Sequence, residues 1–160
     1  REARVLRGNA EVDERDLDIL RLVQSNARLT AEAIGHDVGL SPAAVQKRLQ
    51  KMRASGVIER EIAVINPSKL GREMTIIVEV LLERESRAQL EAFKRRMRAA
   101  PCVQQCYYTT GEGDFVLILN VRDINEYEEF TQTHFFDESN LSRFKTAVVM
   151  DRVKVSLDVL

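Results

Sequence analysis

Hydrophobic positions recur at helical spacing through the first third of the chain and alternate along most of the rest. Leu17, Leu20, Val23 and Ala27 step by three, three and four, which lines one face of a first helix. Asn26 to Leu29 break that pattern. Thr30 is then a suitable N-cap for a second helix, with Ala31, Ile34 and Val38 on one side and Gly39 ending it from the C′ position. A third helix has the clearest start in the chain. Ser41 caps it, and Pro42 takes the first helical position, where its missing N–H costs nothing. Val45, Leu49 and Met52 form its inner face, and Gly56 closes it. The run from Val57 to Ile65 alternates and is β-branched, which predicts one or two short strands. Asn66-Pro67-Ser68 reads as a turn at a domain boundary.

Beyond that turn the period changes. Strands are expected over Thr75–Leu82, Val103–Thr110 and Phe115–Val121, with Gly111-Glu112-Gly113-Asp114 turning the second into the third. Ser86–Ala99 reads as a helix with Leu90, Phe93 and Met97 inward, and another helix starts near Asn125 with Tyr127 and Phe130 on one side. Phe144 to Leu157 is strongly β-prone. The order β-α-β-β-α-β is that of a ferredoxin-like sandwich, two helices on one antiparallel sheet. The expected class is therefore α+β. A helix-turn-helix domain occupies residues 1–60, a linker strand and turn 61–74, and an α+β domain 75–160.

Composition narrows the function classes. In 160 residues, 44% apolar and 31% charged is an ordinary globular balance and excludes a disordered tail. No apolar run approaches the roughly 20 residues that span a bilayer; the longest is Phe115 to Leu119. Arg1 to Asp18 has no apolar core, so no secretory signal is expected there and the expected location is cytoplasmic. Cys102 and Cys106 sit four apart in a strand-like stretch. That separates them by roughly 13 Å, too far to bridge each other or share a metal, so both are read as packing residues. No cofactor or metal is expected.

The net charge of −1 hides an uneven distribution. From Ser41 to Arg53 there are four basic residues (Lys47, Arg48, Lys51, Arg53) and no acidic one, whereas the part from Pro67 onward carries 13 basic and 15 acidic residues. Two helices joined by a tight turn at His36–Pro42, the second of them basic, form a helix-turn-helix whose second member enters a DNA major groove. With Val45, Leu49 and Met52 inward, Ala43, Lys47, Gln50 and Lys51 face outward, flanked by Ala44 and Gln46. The amides of Gln46 and Gln50 match adenine, Lys47 reaches guanine or phosphate, and Ala43 and Ala44 allow approach to a thymine methyl. Ser41 at the helix start joins this set. Arg28, Lys51 and Arg53 are expected on phosphates. The competing reading is a merely solvated helix face. Arg48 lies beside the inner face, within reach of Asp16 or Asp18 of the first helix.

Asp16-Leu17-Asp18-Ile19-Leu20, Gly39-Leu40-Ser41-Pro42, Val45, Arg48 and Gly56-Val57-Ile58 together resemble the winged helix-turn-helix of the leucine-responsive/asparagine-regulator (Lrp/AsnC) family. Asn66-Pro67, Gly111 to Phe115 and Thr146 to Met150 extend the resemblance over about residues 12–157. Membership implies dimers whose C-terminal sheets pair, commonly assembled to octamers, double-stranded DNA as partner, and a small effector, usually an amino acid. It also implies effector contacts at Gly111, Glu112, Gly113 and Asp114, with Thr146 facing them. A glycine-rich turn exposes N–H groups to a carboxylate, and Asp114 suits an ammonium; a plain hairpin loop is the bland alternative. Glu112, Gly113 and Phe144 depart from the usual family residues.

Two rivals remain. Siroheme decarboxylases share a similar two-part plan, but the only histidines, His36 and His134, are far apart in sequence and no catalytic set is visible. An amino-acid-sensing subunit acting on a protein partner is the other; the acid-free basic helix speaks against it.

Overall fold

The computed structural model describes residues 12–84, 86–136 and 140–160. The first eleven residues, which the sequence reading assigned to the N-terminal domain, lie outside the described residues. The described residues divide into two compact units, one of residues 12–64 with 154–160 and one of those within 65–153.

The first unit contains α1 (Glu14–Val23), α2 (Ala31–Val38) and α3 (Pro42–Ala54). Each has the side-chain cap its sequence calls for. The carboxylate of Asp13 accepts from the Asp16 N–H, the Thr30 hydroxyl from Ala33 and the Ser41 hydroxyl from Ala44. Asp13 and Asp16 form a reciprocal capping box, with the Asp16 carboxylate returning to the Asp13 N–H at 3.1 Å. Ile19, Ile34, Val38, Val45, Leu49 and Met52 make the core. Of the expected inner face of α1, Leu20 and Val23 pack against this core, but the buried positions are Asp16 and Ile19, and Ala27 lies beyond the helix and is exposed. A polar residue takes an inward position because a cation from α3 meets it there.

The turn between α2 and α3 depends on two glycines. Gly39 adopts φ 69° as a left-handed C-cap. Gly35 is buried so closely that a Cβ on it would stand 2.4 Å from the Leu40 carbonyl oxygen. The Leu40 N–H returns to the Gly35 carbonyl at 2.9 Å.

No strand forms between Val57 and Ile65, contrary to the expectation of one or two. Ile62, Val64 and Ile65 are 54%, 88% and 61% exposed. The β-branched pattern is there, but among the described residues no strand lies beside it to receive its hydrogen bonds.

Near the start of the second unit the Asn66 side chain caps a single 3₁₀ turn, Pro67–Leu70. Then follow β1 (Met74–Leu82), α4 (Arg87–Ala99), β2 (Val103–Tyr108), β3 (Phe115–Val121), α5 (Ile124–Thr131) with a π turn at Gln132–Phe136, and β4 (Leu141–Val148). The strands pair antiparallel in the order β2-β3-β1-β4, the ferredoxin-like arrangement. Alternation puts Ile76, Val78, Val80 and Leu82 with Phe115, Leu117, Leu119 and Val121 on one face. Phe93 and Met97 of α4 and Tyr127 and Phe130 of α5 close over that face. The last strand begins three residues earlier than the β-prone run suggested and ends at Val148, and residues 149–160 form no strand. Cys102 and Cys106 are free thiols packed half-buried against this core.

One polar lock fixes the start of β1. The Asn120 side chain donates to the Arg72 and Met74 carbonyls, and the Arg72 guanidinium donates to the Asn120 carbonyl at 2.7 Å and to Glu126 at 3.0 Å.

The contact between Gly35 and Leu40 makes a sharp prediction. Gly35→Ala forces the α2–α3 turn apart and destabilises the three-helix unit by about 1–3 kcal/mol, as overpacking does. Denaturant unfolding followed by circular dichroism measures this; an unchanged midpoint refutes the assigned role of Gly35.

Candidate nucleic-acid interface and effector loop

The capped start of α3 and its buried Val45-Leu49-Met52 stripe fix which side chains face out. Ala43, Gln46, Lys47 and Gln50, spaced i, i+3, i+4 and i+7, form one exposed strip. Lys51 is exposed beside it, and Ala44 is half-buried at its edge. Ser41 lies at the helix start, where its hydroxyl is used by the cap. The structure brings these seven residues onto one helix. Arg28 lies on the separate α1–α2 loop, exposed. Arg53, at the far end of α3, is bound to Glu61 at 2.7 Å, so a phosphate has to displace that carboxylate.

Arg48 faces the other way. Its guanidinium donates to Asp13 at 2.7 Å and to Asp16 at 2.8 Å, while Asp18 is held by Arg21 at 2.9 Å. The Asp16 side chain is 3% exposed, so Arg48 is what keeps a buried carboxylate matched. Hydrogen bonding from Arg48 holds the Asp13 carboxyl below its ordinary range, and the two carboxylates push the Arg48 guanidinium higher still. Lys47 and Lys51 therefore project from a helix whose inward charge is already neutralised.

In the second unit, the loop from Gly111 to Asp114 turns β2 into β3. Gly111 has φ 133°, reachable only without a side chain, and it is exposed with Glu112. Gly113 is buried against β1, where a Cβ would stand 2.4 Å from the Glu79 Cγ. Asp114 is 7% exposed. Its N–H donates to the Val80 carbonyl at 2.8 Å, and its carboxylate accepts from the Leu82 N–H at 2.6 Å. That carboxylate is spent on β1, at the point where the pairing of β1 with β4 shifts register. Thr146 is not brought to the loop. It pairs across β1 with Val78 and its hydroxyl bonds to the Tyr127 hydroxyl of α5.

Lys145, which the sequence reading did not single out, takes the place expected of Thr146. Its ammonium lies 3.4 Å from Glu79 and 3.5 Å from Glu112. Strand alternation carries the signal: residues 145 and 146 face opposite sides of the sheet, and only the former shares a side with Glu79.

The histidines belong to different units. His36 is exposed beside Asp37, and His134 packs on Phe130, with burial and the nearby Arg96 pushing its pKa down. Among the described residues, no group of three acidic, cysteine or histidine side chains is arranged to hold a metal, and no helix is long and apolar enough to cross a membrane.

Comparison with known proteins decides the family. A sequence model described as "Lrp/AsnC ligand binding domain" matches residues 75–159, and one described as "Winged helix-turn-helix DNA-binding" matches residues 12–59. This chain belongs to the Lrp/AsnC family. An uncharacterised HTH-type transcriptional regulator of Sinorhizobium fredii is 45% identical to this Lrp/AsnC chain over 93% of its length and 88% of the relative's. A leucine-responsive regulatory protein of Haemophilus influenzae is 30% identical over 91% of this chain and 88% of the relative's. Among solved structures, an AsnC family regulator from Agrobacterium tumefaciens superposes with TM-score 0.87 at 28% identity, covering 93% of this chain and 97% of that one. A Neisseria meningitidis regulator solved as an L-Met complex gives TM-score 0.88 at 24% identity, covering 94% and 97%. This Lrp/AsnC protein is a DNA-binding transcription regulator with a ligand-binding domain.

Two variants separate the faces of α3. Arg48→Met leaves Asp16 buried without its cation. It destabilises the three-helix unit by about 2–3 kcal/mol, somewhat below the range for fully buried pairs because Arg48 is partly exposed. Because the Asp13 pKa is lowered on folding, the stability this pair adds is complete above the carboxylate range and is lost as pH falls below about 4. Urea unfolding at pH 7 and pH 3 tests both points: a wild-type advantage that persists undiminished at pH 3 refutes the ion-pair account. Lys47→Ala leaves the unfolding midpoint unchanged.

Proposed function

We propose that this Lrp/AsnC protein reads operator DNA through the Ala43-Gln46-Lys47-Gln50 strip of α3 and tunes that binding to an amino acid held at the 111–114 loop. The observation that carries the reading is the capped, acid-free α3, whose outward strip is free for base edges while Arg48 is retained inward. The two glutamine amides suit adenine, Lys47 suits guanine or phosphate, and Arg28, Lys51 and Arg53 suit the backbone.

At the loop, the exposed backbone around Gly111 and the Lys145 ammonium suit an α-carboxylate, and Glu112 suits an α-ammonium. Glu112 replaces Asp114 in that role because Asp114 is buried and engaged with the Leu82 N–H. The H. influenzae relative named as leucine-responsive and the L-Met complex of the Neisseria regulator support an amino acid as the effector class. The protein works as a homodimer or a higher assembly of dimers. Exposed Ile62, Val64 and Ile65, and Ile77 on the open face of the sheet, are suitable surfaces for a second copy. Two copies related by a two-fold axis read a roughly palindromic site. Regulation, rather than tetrapyrrole decarboxylation or action on a protein partner, fits the names its relatives carry and the basic, acid-free α3.

A band-shift titration on the DNA upstream of the protein's own gene, with excess competitor DNA and with or without mixed amino acids, tests the reading. Saturable, competitor-resistant binding that changes by roughly five- to 150-fold with the amino acids is expected, a coupling of about 1–3 kcal/mol. Lys47→Ala weakens specific binding by about tenfold, and Glu112→Gln removes the amino-acid response without removing binding. Binding that competitor abolishes, or a full response in Glu112→Gln, overturns the corresponding half of the proposal.

A further inference from the structure

On the helical side of the sheet, between α4 and the edge strand β2, lies a cavity of about 200 Å³ lined by Lys94, Arg98, Cys106, Tyr108 and Phe115. Its lining mixes charge with apolar surface. Lys94 and Arg98 stand one turn apart on α4 and supply two cations. Cys106 and Tyr108 alternate onto the same face of β2, and the fully buried Phe115 forms the floor, its ring 5.2 Å from that of Tyr108. Lys94 is 5.2 Å from the Tyr108 ring centroid and 2.9 Å from Glu91. Arg98 is exposed and makes no ion pair among the described residues. Burial pushes the Cys106 thiol up, with Arg98 and Lys94 opposing, so the thiol is neutral and serves as wall rather than nucleophile.

These features describe the ligand. Two cations in the lining call for an anion, while the thiol and rings beside them call for an apolar body. A bare inorganic anion leaves the thiol and rings uncovered. The volume is below the roughly 300 Å³ at which drug-sized sites begin, so the occupant is a small metabolite. An α-ammonium fits poorly, because among the described residues the lining holds two cations and no carboxylate.

We propose that this cavity is a second small-molecule site, apart from the 111–114 loop, that takes small monocarboxylates with an apolar body and no ammonium group. Arg98 holds the carboxylate, with Lys94, shared with Glu91, beside it, and Cys106, Tyr108 and Phe115 cover the body. The site reaches both strands that carry the loop. Phe115 directly follows Asp114. Tyr108 directly precedes Thr109, whose N–H donates to the Asp114 carbonyl and whose hydroxyl donates to the Gly113 carbonyl, each at 2.9 Å. The site thus stands without the amino-acid reading of that loop, and its test needs no DNA.

The test uses the full chain carrying Cys102→Ser, which leaves Cys106 as its sole thiol. Alkylation of Cys106 by neutral iodoacetamide is followed against 3-phenylpropionate, L-phenylalanine and inorganic phosphate, alongside calorimetric titration of the unsubstituted protein. Expected are saturable protection and binding heat with 3-phenylpropionate alone, at matching midpoints, and a midpoint about tenfold higher in Arg98→Gln with its circular dichroism unchanged. Absence of both protection and heat with 3-phenylpropionate overturns the site. Equal effects of L-phenylalanine or phosphate overturn the ligand class, and an unchanged midpoint in Arg98→Gln overturns the assigned role of Arg98.

Discussion

A carboxylate taken out of water must be met by donors or a cation, and each unit of this protein is arranged around one that is. In the helical unit it is Asp16, matched by Arg48 across the packing of α1 on α3. In the sheet unit it is Asp114, whose oxygen takes the Leu82 N–H where β1 and β4 change register. Apolar contacts supply most of the stabilisation in both cores, but they are tolerant of small shifts. The buried carboxylates are not, since a slip of about an ångström leaves a charge without its partner. They set the rotation of α3 and the position of the 111–114 loop, the two features on which the proposed recognition depends.

The same economy explains why α3 works as a reading element. A helix with four cations and no acid repels itself along its length unless some charge is compensated. Asp13 and Asp16 compensate Arg48, and Glu61 compensates Arg53, which leaves Lys47 outward on the exposed strip. Positive potential is thereby concentrated beside the two glutamines.

Much of this was legible in the sequence, because caps and periods are local. Thr30, Ser41-Pro42 and Gly39 fixed the bounds of α2 and α3, and alternation gave the strands on either side of the glycine loop. Membership of the Lrp/AsnC family followed from the order of these signals. What was not legible depended on distant partners. The sequence brought Arg48 within reach of Asp16 or Asp18, and only the packing of α1 on α3 decides for Asp16 and buries it. Thr146 and Lys145 are neighbours in the chain, and only the pairing of β4 with β1 decides which of them meets Glu79. The stretch from Val57 to Ile65 has strand composition without a strand, because composition supplies willingness to pair and not the partner.

The segment of residues 154–160 joins the helical unit, where the Gln24 side chain receives the N–H groups of Val159 and Leu160 and donates to the Leu160 carbonyl at 2.7 Å. The residues it joins are 136 positions apart along the chain. At ribosomal speeds of about 5–20 residues per second, that interval is roughly 7–27 s. The three helices are thus made early but wait for the entire sheet unit to be synthesised before their last hydrogen bonds can close. A nascent chain passes through an interval in which its DNA-binding unit is assembled and not yet clasped.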